Sequence, residues 1–190
     1  MVVVLVRWGV LEDAAAITDI HVQGWKLGYR GMLPQETLDG IEASQRLPRW
    51  TATLEGAERP RRGTLVVEDE GALLGFADLR PSGDADGDPD KVGEVRSFYV
   101  LPSRWRQGVG SLLMAESVRR LELAGFAEAT LWVHDANGRA MRFYERTGWT
   151  PDGATNLDTV RGHQLTEVRY RRALGSPSSA ARSAVVGPTA

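Results

Sequence analysis

Residues 95–113, Val-Arg-Ser-Phe-Tyr-Val-Leu-Pro-Ser-Arg-Trp-Arg-Gln-Gly-Val-Gly-Ser-Leu-Leu, constrain the fold more than any other stretch of this chain. An apolar, β-rich run from Val95 to Leu101 stops at Pro102, crosses a short basic loop and enters a helix through Gly108 and Gly110. A strand that passes through a glycine-bearing loop into a helix builds an anion site. The first helical turn has N–H groups without partners and a partial positive charge, and glycines let a phosphate approach the backbone. Arg104 and Arg106 add charge beside those donors. Two phosphate loops fail to fit. The nucleoside-triphosphatase loop needs a lysine after its last glycine, and none follows Gly110. The dinucleotide fingerprint needs a third glycine where Leu113 stands.

A second run, Asn137-Gly-Arg-Ala-Met-Arg-Phe-Tyr-Glu-Arg-Thr-Gly-Trp149, places Asn137, Ala140, Met141 and Tyr144 at offsets of three and four, hence on one helical face. Alone, such a face is as compatible with a core stripe as with a site. The two runs in order, one short strand apart, resemble the GNAT acyltransferases of small bacterial type. The first matches their acetyl-CoA loop, Arg/Gln-x-x-Gly-x-Gly/Ala after a strand and a proline, at Val100, Pro102, Gly108, Val109 and Gly110. It departs at Trp105 and at Arg106, which replaces a frequent glycine. The second matches Asn-x-x-Ala-x-x-Phe-Tyr-Glu-x-x-Gly-Phe. The resemblance spans roughly residues 2–173 and is strongest from 92 to 150.

The resemblance implies a mixed α/β (α+β) domain over residues 1–174: a curved, mostly antiparallel sheet flanked by helices, with acetyl-CoA in a cleft between two splayed parallel strands. It implies N-acetylation of a primary amine on a small molecule or peptide by direct attack, with CoA as product. Cofactor contacts fall on Phe98, Tyr99 and Val100 of the strand, on Arg106, Gln107, Gly108, Val109, Gly110 and Ser111 of the loop, and on Asn137 and Tyr144. Backbone N–H groups at Phe98–Val100 would polarise the thioester carbonyl, Tyr144 would protonate the leaving thiolate, and Glu94, just before the strand's core, is the candidate base. Trp25 and Tyr29, one helical turn apart within His21-Val-x-x-Trp25-x-x-x-Tyr29-x-Gly31-x-x-Pro34, are expected on the acceptor wall, although core packing explains both nearly as well. His21, His134 and His163 are weaker candidates, because none has a carboxylate at fixed spacing. Two rivals stay open: an acyl-CoA-binding sensor without turnover, and an acyltransferase for a longer acyl donor or a protein amino terminus.

Along the rest of the chain, residues 2–8 read as a strand, Leu11–Tyr29 as a helix, and Pro34–Leu38 and Ser44–Glu55 as shorter helices. Strands are expected at 64–69, 73–79, 92–101, 130–133, 149–154 and 164–173, with helices at 109–124 and 137–147. Residues 175–190 are rich in Ser, Ala, Gly and Pro and are expected to form a disordered tail. Asp84-x-Asp86-x-Asp88-Pro-Asp90 imitates a calcium loop but has Pro89 where such a loop needs glycine and Val95 where it needs glutamate, so a solvated loop and no metal are expected. Arg169–Arg172 reads as an exposed or interface face. With 190 residues, 23 basic against 25 acidic side chains and no cysteine, one core is expected and no nucleic-acid footprint. The same numbers exclude disulfides and thiolate chemistry and are compatible with a cytoplasmic location. The opening apolar run is too short for a membrane span. A homodimer is an open expectation.

Overall fold

Strand β4 (Val92–Val100), helix α4 (Val109–Leu123) and strand β5 (Glu128–His134) form the unit around which the chain is arranged. β4 and β5 run parallel, and a parallel pair requires a crossover, here supplied by α4. The computed structural model describes residues 4–175; the expected tail lies, apart from Gly175, outside the described residues, as do positions 2 and 3 of the expected first strand. β1 (Leu5–Trp8), β2 (Gly63–Asp69) and β3 (Ala72–Pro81) extend the sheet on one side, and β7 (His163–Ala173) and β6 (Thr150–Val160) on the other. The order is β1-β2-β3-β4-β5-β7-β6, and every neighbouring pair except β4–β5 is antiparallel. Helices α1 (Ala14–Gly28), α2 (Gln35–Asp39) and α3 (Ala43–Glu55) precede β2, and α5 (Gly138–Arg146) joins β5 to β6. Among the described residues no helix is long and apolar enough to cross a membrane.

The helices form where the apolar spacing places them. Leu113, Met114, Ser117, Val118 and Leu121 are the buried stripe of α4, and Ser117 satisfies its hydroxyl by donating to the Leu113 carbonyl at 2.8 Å. Gly125, at φ +86°, ends α4; its N–H donates to the Glu122 carbonyl and that of Phe126 to the Leu121 carbonyl. Phe126 then folds back onto the core, where a Cβ on Gly93 would sit 2.8 Å from Leu121, so glycine lets α4 lie close against β4. α4 and α5 cover one face of the sheet over a core that includes Val95, Leu131, Tyr144 and Trp149. α1 and α3 cover the other with Ile17, Ile20, Trp50 and Phe76.

Two boundaries differ most from the sequence expectation. The first helix begins at Ala14, because Leu11–Asp13 forms a 3-10 turn in which Asp13 accepts from the Val10 N–H at 2.8 Å while Arg7 grips its carboxylate at 2.7 and 3.0 Å. β6 continues beyond Ala154 to Val160 and turns into β7 through Arg161 and Gly162, both at positive φ. Most of β6 is exposed on the sheet edge, so its polar residues carry no alternating apolar signal.

Candidate active site

β4 and β5 stay paired only at Val92–Glu128, Gly93–Ala129 and Glu94–Thr130. Beyond Glu94, β4 remains bonded to β3 and β5 to β7, so the two strands diverge. A cleft of about 460 Å³ opens there. Phe98, Tyr99 and Val100 line it from β4, as Arg106, Gly108, Gly110 and Ser111 do from the loop and α4. Between Arg106 and Ser111 no backbone N–H donates to a backbone carbonyl among the described residues, and Gly108 has φ +84° with nothing within 4 Å of a Cβ built on it. Open donors at a helix start with room above the glycine fit an incoming pyrophosphate. Two expected contacts are backbone ones only: the Val109 side chain is buried in the core, and the Gln107 side chain donates to the Ser103 carbonyl at 2.9 Å. Trp105, the departure from the family pattern, docks by donating from Nε1 to the Val100 carbonyl at 2.9 Å, with the Arg139 guanidinium 3.5 Å from its ring centroid.

Asn137 caps α5, its Oδ1 accepting from the Ala140 N–H at 3.2 Å. Two turns later that helix delivers Tyr144 to the gap between the strands, 8% exposed and edge-on to Phe98. Burial, with Tyr99 adding to it, holds the Tyr144 phenol above its usual pKa, so it keeps its proton.

The opposite end of the cleft is built by α1, α3 and the far strands. Trp25 and Tyr29 stack at 4.2 Å, and Tyr29 meets the His134 ring edge-on at 5.0 Å. His134 is 4% exposed, and its Nε2 lies 3.8 Å from Asp158 Oδ2 and 3.7 Å from Glu167 Oε1. Those three groups line the cleft, with ligand atoms within 4.8 Å of one another, a spacing that accepts a cation. Burial lowers the His134 pKa against the pull of Asp158, while burial and then Asp158 raise that of Glu167. Sequence spacing missed this cluster because its members come from β5, β6 and β7, which meet only through sheet order.

Glu94 is not among the residues that line the cleft, although its charge, after burial and Asp158, helps to raise the Glu167 pKa. Its carboxylate is 6% exposed and accepts from Arg80 Nε at 2.7 Å. His21 does line it, but its Nδ1 accepts from Trp50 Nε1 at 2.9 Å; His163 sits away from it beside Thr37. The expectation of an exposed or interface face at Arg169–Arg172 is corrected at its first two residues, Tyr170 being a core side chain at 1% exposure. Arg169 is 5% exposed and bonds Asp84, Asp86 and Asp152 at 2.7–3.0 Å. The acidic loop is solvated apart from Asp84: Asp84 and Asp86 both bond Arg169, but Asp86, like Asp88 and Asp90, faces water.

A cleft with an anion cradle at one end and a protonated phenol at its middle suits acyl transfer from a phosphate-bearing carrier. Residues 29–149 match the model of the Acetyltransferase (GNAT) family. The uncharacterized N-acetyltransferase YuaI of Bacillus subtilis is 30% identical over 167 residues, 87% of this chain and 90% of that protein. The fold is shared with PaiA N-acetyltransferase of Thermoplasma acidophilum in complex with coenzyme A, at TM-score 0.70 and 17% identity over 90% of this chain and 99% of that one. It is shared too with yncA of Salmonella typhimurium, solved with its cofactor acetyl-CoA, at TM-score 0.66 and 20% identity over 93% and 98%. The chain belongs to the GNAT family, and it is an acetyl-CoA-dependent N-acetyltransferase.

Proposed function

We propose that the acceptor is a primary amine of a small molecule or peptide that enters past Trp25 and Tyr29, and that Tyr144 gives its proton to the leaving sulfur. The observation that carries this is the divergence of β4 and β5 after Glu94, with Tyr144 lining the gap. When bound, acetyl-CoA supplies the acetyl group as an activated thioester. The N–H groups from Arg106 to Ser111 would hold its pyrophosphate, and the Asn137 amide nitrogen is free to bind as well because the cap uses only Oδ1. Leu101 donates its N–H to Leu74 on the β3 side. By alternation the N–H groups of Phe98 and Val100 lie on the unpaired edge of β4 and would steady the carbonyl oxygen; one such donor is worth about 2.7–4 kcal/mol of barrier. The desolvation that keeps the Tyr144 phenol protonated weakens it as an acid, and a thiolate beside it is made more basic by the same cause, so the phenol holds its proton until charge develops on the sulfur.

The amine must lose a proton, since an alkylammonium has a pKa near 10.4. Glu94 is held by Arg80 outside the cleft lining, whereas Glu167 and His134 line it. The raised pKa of Glu167 makes its carboxylate a stronger base, and the lowered pKa of His134 leaves a neutral ring able to accept. The proton is therefore assigned to the Glu167–His134 pair.

The test is kinetic. Tyr144→Phe should lower kcat by about 10²–10⁴-fold with little change in acetyl-CoA affinity. A kcat within about twofold of wild type, with chemistry rate-limiting, would remove Tyr144 as the acid. Glu167→Gln should lower the plateau of the pH–rate curve, while Glu94→Gln should cost stability with turnover nearly intact; the reverse pattern would return the base to Glu94. Release of free CoA only when amine is present separates an enzyme from an acyl-CoA sensor.

A further inference from the structure

We propose that the acceptor carries an anionic group close to its amine, as an α-amino acid does, and that Arg46, Arg49 and Arg96 bind that group while Asp158, Glu167 and His134 receive the ammonium. This deepens the acceptor assignment made above and rests on it.

The cleft has two walls of opposite charge. Arg46 and Arg49 line it from α3, and Arg96 lines it from β4 at the bulge where the β3–β4 register shifts. Among the described residues none of the three has a carboxylate partner or a side-chain hydrogen bond, whereas nearby Arg80 is bonded to Glu94. Two of them rest instead on aromatic faces, Arg46 at 5.3 Å from the Trp25 centroid and Arg49 at 5.5 Å from that of Trp50. Arg49 and Arg96 also line an adjoining hollow with Arg62, Arg80 and the buried Asp78, so four guanidiniums face one carboxylate behind the cleft and positive charge stays in excess there. Burial first, and then the like charges of Arg80 and Arg49, lower the pKa of Arg96 against the pull of Asp78 and Glu94, and a bound oxyanion would add to that pull.

Opposite them stand Asp158 and Glu167, flanking His134 at 3.8 and 3.7 Å. The stacked rings of Trp25 and Tyr29 lie between the two walls. Arg46 sits over the first ring, and His134 meets the second. A small molecule lying along this aromatic pair meets carboxylates at one end and guanidiniums at the other. A simple alkylamine would satisfy only the acidic wall and leave the arginines unpaired. Carboxylates and other oxyanions such as phosphonates share the chemistry that the arginines recognise.

Matched acceptor sets test this. For several side chains, an α-amino acid, its carboxamide and its decarboxylated amine are compared under saturating acetyl-CoA, following free thiol and the N-acetyl product by mass spectrometry. Corresponding aminophosphonates distinguish carboxylate from phosphonate recognition. The anionic acceptors should exceed both neutral relatives in kcat/KM by about 10–100-fold. Carboxamide amines deprotonate more readily than those of the acids, so such a preference runs against basicity. In Arg49→Gln and Arg96→Gln the ratio of acid to amide should collapse, with acetyl-CoA affinity by calorimetry confirming a folded cradle. Neutral acceptors equal to or better than the acids, or an unchanged ratio in both variants, would overturn the charge pairing while leaving N-acetylation in place. Acetylation of no amine in the set would overturn the acceptor assignment itself, and this proposal with it.

Discussion

Gly108 shows how one backbone angle can hold a binding site. Its φ of +84° turns the chain from the basic loop into α4, and a Cβ there would meet no atom within 4 Å. Substitution is therefore resisted by backbone strain and not by a clash. Gly108→Val should cost about 1–2 kcal/mol of stability, since an L residue in the left-handed region carries that penalty. It should weaken acetyl-CoA binding by more than stability alone explains, because the branched side chain stands where the phosphate would approach. Calorimetric titration beside a melting curve checks both, and unchanged affinity in a folded variant would remove the cradle assignment. His21 presents the opposite case, a titratable group kept from titrating. Burial, with Arg46 and Arg49 nearby, lowers its pKa to about 3. Below pH 6.5 the unfolded chain takes up a proton at this site that the native protein refuses. His21 therefore contributes a stability loss that begins near pH 6.5 and deepens until its native pKa near 3 is reached; above pH 6.5 it contributes no slope. His21→Gln keeps an acceptor for Trp50 without titrating. Urea unfolding from pH 4 to 8 should show a shallower acid decline in that variant, and parallel curves would refute the buried neutral histidine.

At the scale of elements, the loop of residues 81–91 is tied across the sheet to β7 and β6 through Arg169. That guanidinium bonds Asp84, Asp86 and Asp152, and Trp132 Nε1 adds a donor to Asp84 at 3.0 Å. Arg169→Ala would leave Asp84 and Asp86 without a cation and Asp152 with Arg171 alone. The expected loss is about 2 kcal/mol, below the range for fully buried pairs because Asp86 faces solvent. Arg169→Lys should recover only part of it, since an ammonium cannot reproduce the planar fork. Denaturant melts of both variants check this, and equal stability of Arg169→Ala and wild type would assign the cluster to the solvated surface. This link is also where sequence reasoning stopped. β4, the glycine loop, α4 and α5 were legible because strand run, helix period and Gly-plus-aromatic stops are local signals. The Arg169 clamp and the His134–Asp158–Glu167 cluster were not, because each joins residues from separate elements that only the order β5-β7-β6 makes neighbours. β6 was cut short for a related reason: an exposed edge strand needs no apolar alternation. Glu94 lies at the last paired position of β4, as its place in the sequence suggested, but the side chain turns to Arg80, a direction that sequence does not encode.

At the scale of the molecule, the sheet is continuous in order but not in bonding. Strands β1–β4 form one block and β5, β7 and β6 another, and the seam between them is held by three register pairs next to an opening. The core under α4 and α5 spans both blocks, so at the seam it is backbone pairing and not packing that is thin. A ligand seated in the gap would touch both blocks and stand in for the missing rungs. Binding to the native state alone stabilises it by about 2.7 kcal/mol at a ligand concentration one hundred times Kd. For a chain of this size that corresponds to a rise of about 5–10 °C in Tm. Amide exchange should show where the gain is deposited: β5 and β7 should slow most on adding acetyl-CoA, while β2 and β3 change little. Uniform slowing would mean that the sheet already unfolds as one unit. A donor molecule seated there would be, in mechanical terms, the clasp of a book whose spine is three residues long, and the protein would be at its most rigid when loaded for reaction.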